Sequence, residues 1–121
     1  MANLENVVGL ENMFILSHKV SIYVPSKQQT GEKVSGRLKQ INEVKRELSE
    51  MFGGCTTTKA VGNWILNNGK VTAEPVELCY SFAETLDTSH MIKIAQIVQR
   101  LKTEMNQERI SIEIDGKLYI L

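Results

Sequence analysis

The sequence predicts an α+β domain in which an antiparallel sheet carries two helices on one face. Three observations lead to this fold class. Short segments that alternate apolar and polar residues are typical of half-buried strands. Two longer segments repeat their apolar residues every three or four positions, as amphipathic helices do. Asparagine- and glycine-containing turns join neighbouring strand segments directly, which indicates antiparallel pairing.

The first half of the chain predicts a strand, a helix and a second strand. Residues 19–24 alternate strictly, and the polar residues 26–33 that follow predict a loop. Residues 34–52 carry a single apolar stripe, and the two glycines at 53–54 are the expected end of a helix. Residues 56–66 are rich in β-branched and aromatic side chains, so they predict the second strand.

The second half repeats this order. A turn at 67–69 leads into a strand over about 70–82, in which a proline requires either an edge position or a bulge. The segment 87–105 begins with capping residues and predicts the second helix. Residues 109–115 alternate again, and an Asp-Gly turn separates them from a short final strand at 118–121.

The predicted order, β-α-β-β-α-β with one further short strand, is that of a ferredoxin-like sandwich. Such a sheet leaves one face open, which can pair with another copy or hold a ligand. The apolar stripe of the second helix is widened by Ile92, Ala95 and Ile97. This width indicates either contact with a second subunit or a deeper position in the core. The mildly apolar residues 1–17 are expected to pack on the domain or on a neighbouring subunit.

Length and composition exclude several classes of protein. The 121 residues predict a single domain, 1–121. Fourteen basic residues balance fourteen acidic ones, which argues against a protein that coats DNA or RNA through bulk charge. No apolar run is long enough to span a bilayer, so we expect no membrane partner. Cys55 and Cys79 lie outside any metal-binding spacing and are expected to be reduced thiols in the cytoplasm.

The sequence contains no recognisable catalytic constellation. Neither His18 nor His90 belongs to a motif with a nucleophile, and the glycines at 53–54 follow a helix rather than the strand that a phosphate loop requires. We therefore expect a protein that is not an enzyme and that uses no cofactor. The aromatic residues of the predicted hairpin can stack on a base or pack a core, and Arg109 has a side chain suited to phosphate.

Five segments in order resemble the phage anti-Thoeris sponges, the Thoeris anti-defence proteins of the first type. They are SIYVPS, LSEMFGGCTTTKAVGNW, VELCYSF, IAQIVQRLKTEM and ISIEIDGKLYIL. The resemblance implies a protein that acts in the cytoplasm of the infected bacterial host. It would bind the cyclic ADP-ribose isomer made by a TIR-domain defence enzyme and hold it without cleaving it. It also implies a homo-oligomer, either a dimer or an assembly of dimers, with pockets built from two subunits.

The same resemblance implies roles for individual residues. Phe82 would stack on the adenine, and Arg109 would neutralise the diphosphate. Ser89 and His90, at the start of the second helix, would contact the ligand near its anionic part. Three weaker candidates follow from their placement in the predicted second strand only: Thr56, Lys59 and Trp64.

Two other classes of function remain open at this point. One is a small dimeric enzyme or nucleotide-binding module on a ferredoxin-like scaffold, which would use His90 or a carboxylate at the sheet edge. The other is a structural or protein-binding module. Recovery of an intact ligand after denaturation would distinguish sequestration from catalysis. A structural or protein-binding module would bind no small molecule.

Overall fold

A five-stranded antiparallel sheet is the centre of the computed structural model, which describes residues 3–27 and 32–121. Its strands are β1 (His18–Val24), β2 (Thr56–Ile65), β3 (Val71–Ala83), β4 (Ser111–Ile114) and β5 (Lys117–Ile120). The helices are α1 (Arg37–Phe52) and α2 (Thr88–Glu104). The strand order β2-β3-β1-β4-β5 places β3 between the two strands that α1 connects. The predicted α+β fold class is therefore confirmed.

The core lies between the helices and one face of the sheet. Val20, Ile22 and Val24 of β1 are fully buried on this face, as their alternation predicts. On β3 the buried positions are Glu77, Cys79, Ser81 and Ala83. Tyr80 and Phe82 lie on the opposite, open face. The helices contribute a larger buried set: Ile41, Val44, Leu48, Ile94, Ile97, Val98 and Leu101. The open face thus presents aromatic side chains rather than burying them.

Helix α1 begins three residues later than its apolar stripe predicts. Gly36, at φ 73°, adopts a left-handed conformation and caps the helix, and the N–H of Val34 instead donates to the carbonyl oxygen of Ser26 at 3.0 Å. Leu38 is 71% exposed, because at about 100° per residue it lies roughly 100° from the centre of the buried stripe. The helix ends at Gly53, as predicted, and that glycine also adopts a left-handed conformation, with φ 86°.

The β2–β3 hairpin extends beyond the rest of the sheet. The pairing of β1 with β3 stops at Val24 and Glu77, so Pro75 has a paired neighbour on the β2 side only. The predicted edge position of this proline is thereby confirmed. The outer part of the hairpin is a two-stranded ribbon with exposed apolar side chains, which are Val61, Trp64, Ile65, Leu66 and Val71.

Helix α2 lies deep in the core on one side only. Ile97 is buried, which agrees with the interpretation that the wide stripe reflects a deeper position. Ile92 is 54% exposed and Ala95 is also exposed, so the stripe is wider than the surface that the core covers. Contact of Ile92 with a second subunit remains a prediction. None of the helices in the described part of the chain has the length and apolar character needed to cross a bilayer.

The N-terminal segment has little contact with the core. Within residues 3–17 none is buried, and Phe14 is 96% exposed. A short 3₁₀ turn spans Leu4–Asn6. Only towards β1 does the segment approach the domain, where Leu16 lines a cleft. Packing of this segment on a neighbouring subunit remains a prediction, and residues 1–2 lie outside the described part, as do 28–31 of the predicted loop.

Candidate functional site

Two aromatic rings stand side by side on the open face at the end of β3. Tyr80 and Phe82 are two residues apart, so both side chains leave the strand on the same side. Their ring centroids are 6.0 Å apart, and the rings meet edge to face at 89°. Phe82 is 46% exposed. The interpretation of these rings as core residues is therefore wrong for Phe82, whose outer face is open to a ligand.

The ammonium group of Lys19 lies over these rings. Lys19 is the cross-strand partner of Phe82, so the two residues share the open face. Its Nζ lies 4.7 Å from the centre of the Tyr80 ring and 5.9 Å from that of Phe82. Both distances fall within the range of a cation–π interaction. We call Lys19, Tyr80 and Phe82 the aromatic cluster.

A cleft of about 400 Å³ adjoins the aromatic cluster. Its walls come from the N-terminal segment, the end of α1 and the first residue of β2, and its lining includes Leu16, Phe52, Gly54, Cys55 and Thr56. Clefts of this size are typical of small-molecule sites. The structure thus brings together two of the predicted site residues, Phe82 and Thr56.

The polar groups of this cleft differ in their availability. The hydroxyl of Ser81 donates to the carbonyl oxygen of Gly54 at 2.6 Å, so its proton is already engaged. Burial raises the pKa of the Cys55 thiol, which keeps this thiol neutral and a weak nucleophile. The Thr56 side chain has no such engagement among the described residues and can donate to a ligand.

Ser89 and His90 belong to the cap of α2. The Asp87 side chain accepts a hydrogen bond from the His90 backbone N–H at 3.0 Å and from the Ser89 hydroxyl at 2.7 Å. These two bonds, that of Ser89 first, lower the pKa of the Asp87 carboxyl. The His90 ring accepts from the Asp87 N–H and lies 4.9 Å from the Phe52 ring. Both predicted residues are thus engaged in the cap.

His90 nevertheless lies close to the aromatic cluster. It lines a second cleft of about 250 Å³, together with Glu84 and Thr85. Leu16 and Phe52 contribute to both clefts, so the two are neighbours. A ligand that fills the first cleft, beside Phe82 and Thr56, would therefore lie next to the cleft that His90 lines.

Arg109 lies at the opposite end of the sheet. It lines a separate pocket of about 350 Å³ with Tyr23, Glu74, Val76 and Leu118. Phe82 pairs with Lys19, and the β1–β4 register, extended from the pair Ile22–Ile112, sets Arg109 level with Pro25. About six residues along β1, or roughly 20 Å, therefore separate the two positions. The structure therefore does not bring Phe82 and Arg109 together within one chain. Arg109 is exposed, and no ion pair holds it within residues 3–27 and 32–121.

The two remaining candidates lie outside both clefts beside the aromatic cluster. Trp64 is close to the tip of the β2–β3 hairpin, where it pairs with Thr72 and is 46% exposed. Lys59 pairs with Glu77 on the side of the sheet that carries the helices. Among the described residues, no group of three or more His, Cys, Asp or Glu side chains is placed to hold a metal ion.

Sequence reasoning considered Tyr80 only as one of the hairpin aromatic residues that stack on a base or pack a core, and it did not consider Lys19 as a site residue. The alternation of β3 places Tyr80 on the same face as Phe82, and this pattern could have found it. The position of Lys19 follows from the register between β1 and β3, which pairs it with the distant Phe82. No local pattern reports such a register.

Two solved structures resemble this chain over nearly its whole length. One is a phage SAM lyase in complex with S-methyl-5′-thioadenosine, with a TM-score of 0.63, 13% identity, and coverage of 93% of this chain and 94% of the other. The other is a phage SAM lyase in the apo state, with a TM-score of 0.60, 15% identity, and coverage of 90% and 94%. The chain is similar in fold to a phage SAM lyase. No protein-family profile and no curated protein matches it.

This similarity corrects one prediction. The lack of a catalytic motif led to the expectation that the chain is not an enzyme, whereas the solved structures that share its fold are those of a lyase. The physical reason is that positioning and electrostatic stabilisation can supply much of a rate enhancement without a recognisable nucleophile and base. The missing motif was therefore not sufficient ground for that expectation.

Proposed function

We propose that this chain binds an adenine-containing nucleotide at the aromatic cluster. Within that class, we propose a cyclic ADP-ribose isomer made by a TIR-domain enzyme. Its capture in the cytoplasm of an infected bacterium would withdraw the signal from Thoeris defence. The observation that carries the proposal is the half-exposed Phe82 ring, which stands beside an ammonium group and a cleft of about 400 Å³.

The Phe82 ring supplies the contact with the base. An adenine that stacks on an exposed aromatic ring gains about 1–3 kcal/mol. The edge-to-face contact with Tyr80 restrains the orientation of Phe82, so little rotamer entropy is lost on binding. Thr56 and the backbone around Gly54 lie in the adjoining cleft and can contact the ribose. The chain therefore provides an apolar surface for a base with polar groups beside it.

A second copy of the chain would be needed for the proposed role of Arg109. The separation of roughly 20 Å along β1 exceeds the size of a cyclised ADP-ribose, so one chain cannot offer Phe82 and Arg109 to one ligand. Two copies that face each other through their open sheet faces, related by a two-fold axis near the middle of β1, would place Phe82 of one against Arg109 of the other. Such an isologous pairing creates two equivalent sites.

Enclosure by two copies also suits tight binding. Nanomolar affinity requires about 12 kcal/mol, and ligands reach such values only when most of their surface is buried. An open sheet face alone covers one side of a ligand. A second copy that covers the other side, and that brings an unpaired guanidinium to the diphosphate, would supply the remaining contacts.

Isothermal titration calorimetry with purified cyclic ADP-ribose isomers tests this proposal. We expect the wild-type protein to bind, and we expect Phe82→Ala to weaken binding by about tenfold or more, since it removes the stacking surface. Tyr119→Ala is a suitable control, because Tyr119 is a comparably exposed aromatic residue that lines none of these clefts. Wild-type protein without measurable heat for any isomer would contradict the proposal.

The fold favours one further candidate, an adenosyl sulfonium such as SAM. The rings of the aromatic cluster attract a cation, and a sulfonium could take the place of the Lys19 ammonium over them. The test is incubation with SAM, followed by mass spectrometry for S-methyl-5′-thioadenosine. The same mass balance on a bound cyclic ADP-ribose isomer distinguishes capture from turnover, since turnover returns a product of different structure.

A further inference from the structure

We infer that Lys19 is the cation that binds the phosphate of the nucleotide whose base stacks on Phe82. This inference rests on the proposed function and adds to it, because it assigns a phosphate contact to the same chain that holds the base. Arg109 of the second copy would then meet the other phosphate of a diphosphate. The observation behind the inference is the position of the Lys19 ammonium over the ring of Tyr80.

The backbone of Lys19 is fixed from both sides. On one side β3 places Phe82 directly opposite Lys19. On the other side the Lys19 N–H donates to Oδ1 of Asp115 at 2.8 Å, and the Asp115 N–H donates to the Lys19 carbonyl oxygen at 3.0 Å. The root of the side chain is therefore held in place, and only its methylene groups remain free to adjust.

The end of the side chain is held by aromatic surface rather than by a carboxylate. Nζ lies closer to the centre of Tyr80 than to that of Phe82, at 4.7 Å against 5.9 Å. The ammonium is therefore held more closely by Tyr80 than by Phe82, whose side chain stays 46% exposed for a base. Within residues 3–27 and 32–121 no carboxylate lies within ion-pair distance of Nζ. An ammonium with donors to spare beside a stacking surface is complementary to a nucleoside phosphate.

The carboxylate that contacts the Lys19 backbone, that of Asp115, is already engaged. Asp115 uses one carboxylate oxygen for the Lys19 backbone N–H and the other for Nδ1 of His18, at 2.7 Å. Both oxygens of Asp115 therefore contact groups at the start of β1 and not the ammonium of Lys19. This division leaves the positive charge of Lys19 for an external anion.

The test measures how much phosphate adds to the binding of adenosine. Calorimetry with adenosine, AMP and ADP-ribose gives this increment for the wild type, for Lys19→Met, which keeps the length of the side chain without its charge, and for Lys19→Arg, which restores the charge. Lys117→Met, at an exposed position of β5, is the matched control. Thermal unfolding of each variant reports whether the fold is kept.

We expect Lys19→Met to weaken the binding of AMP and ADP-ribose by about tenfold and that of adenosine by less than about twofold, since only the charge-assisted contact is lost. Lys19→Arg and Lys117→Met should keep the wild-type increment. A Lys19→Met variant that binds AMP as the wild type does would overturn the inference alone. A wild-type protein that binds none of the three compounds would overturn the inference, and one that also binds no cyclic ADP-ribose isomer would overturn the proposed function as well.

Discussion

Nδ1 of His18 lies 2.7 Å from Oδ2 of Asp115, so that the first residue of β1 is tied to the turn between β4 and β5. Asp115 and Gly116 have φ values of 53° and 83°, the two positive values that a type I′ hairpin requires. The Asp-Gly pair that the sequence suggests as a turn therefore performs a second task. It anchors the strand that carries Lys19 into the aromatic cluster.

The Asp115 contacts predict a stability that depends on pH. The hydrogen bond from His18, and then that from the Lys19 backbone, lower the pKa of the Asp115 carboxyl. A carboxyl whose pKa is lowered by folding stabilises the fold above its unfolded pKa, and this contribution is lost as the pH falls through the lowered, folded pKa. The folded protein should thus lose the contribution of this group only in strongly acidic solution.

Asp115→Asn tests this dependence, because asparagine tolerates the left-handed backbone of the turn. We expect the variant to be less stable than the wild type at pH 7 and the difference to vanish at a pH below the folded pKa of Asp115. Urea unfolding between pH 7 and pH 2 measures the difference. Glu108→Gln, which changes an exposed carboxylate, should show no such dependence. A constant difference across this range would exclude the proposed contribution of the carboxylate charge.

Arg100 of α2 forms ion pairs with carboxylates of α1, and their loss should lower the free energy of unfolding. Its Nη1 lies 2.6 Å from Oε1 of Glu47, and its Nε lies 3.5 Å from Oε2 of Glu43, with all three side chains less than one third exposed. Arg100→Met would leave Glu47 without its cation and Glu43 with the more distant Lys39 only, at 3.9 Å. We expect a loss of about 1–2 kcal/mol, between the values for exposed and for buried ion pairs.

Arg46 provides the matched control for this network. It pairs with Glu50 at 3.0 Å on the exposed side of α1, where both side chains are 64% exposed. Arg46→Met should cost less than about 0.5 kcal/mol. Urea unfolding at low salt and in 1 M NaCl measures both variants. Equal costs for Arg46→Met and Arg100→Met would show that partial burial does not strengthen the network.

The two thiols should differ in reactivity. Burial is the main cause that raises the pKa of Cys79, to about 12, and burial also raises that of Cys55, which lines the cleft beside Phe82. Since the thiolate is the reactive form, both should react slowly with a disulfide reagent at pH 8, and Cys79 should react only after unfolding. Each of the variants Cys55→Ser and Cys79→Ser keeps one thiol. The reaction rate of that thiol in the folded variant, compared with its rate in the denatured variant, measures the difference between the two sites. Fast reaction of folded Cys55→Ser would contradict the assigned burial of Cys79.

The sequence predicted the faces of the elements better than their partners. The alternation in β1 assigned Val20 and Ile22 to one face and Tyr23 to the other, because side-chain direction in a strand depends only on local geometry. The start of α1 was harder to predict, because Gly36 adopts a left-handed conformation instead of the helical one that the apolar stripe suggests. Local patterns thus report the direction of side chains, whereas a single glycine can change the residue at which a helix begins.

The candidate site was predicted in parts for the same reason. Phe82 and Arg109 each stood out by residue type, whereas their separation depends on where β1 meets β3 and β4. Lys19 escaped notice because its neighbours come from the strand register. The chemistry of a site can be guessed from residue types, but the assembly of the site requires the topology of the sheet.

That separation yields the most direct test of a site shared between two copies. Phe82→Ala and Arg109→Ala should each abolish tight binding in a homodimer, because every site then lacks one of its two groups. In a heterodimer of the two variants, one site contains both substitutions and the other contains both native side chains. We therefore expect a purified heterodimer to bind one ligand where the wild-type dimer binds two, with wild-type affinity.

Co-expression of the two variants with different affinity tags, followed by tandem purification, gives this heterodimer, and calorimetry gives its stoichiometry. The control is a dimer of two Phe82→Ala chains, one carrying each of the two tags, and it should not bind. A mixed heterodimer that fails to bind would exclude a site formed by Phe82 of one copy and Arg109 of the other, since its one fully native site would then not function. A protein that light scattering shows to be monomeric while it binds tightly would exclude the shared site, because Phe82 and Arg109 lie at opposite ends of β1.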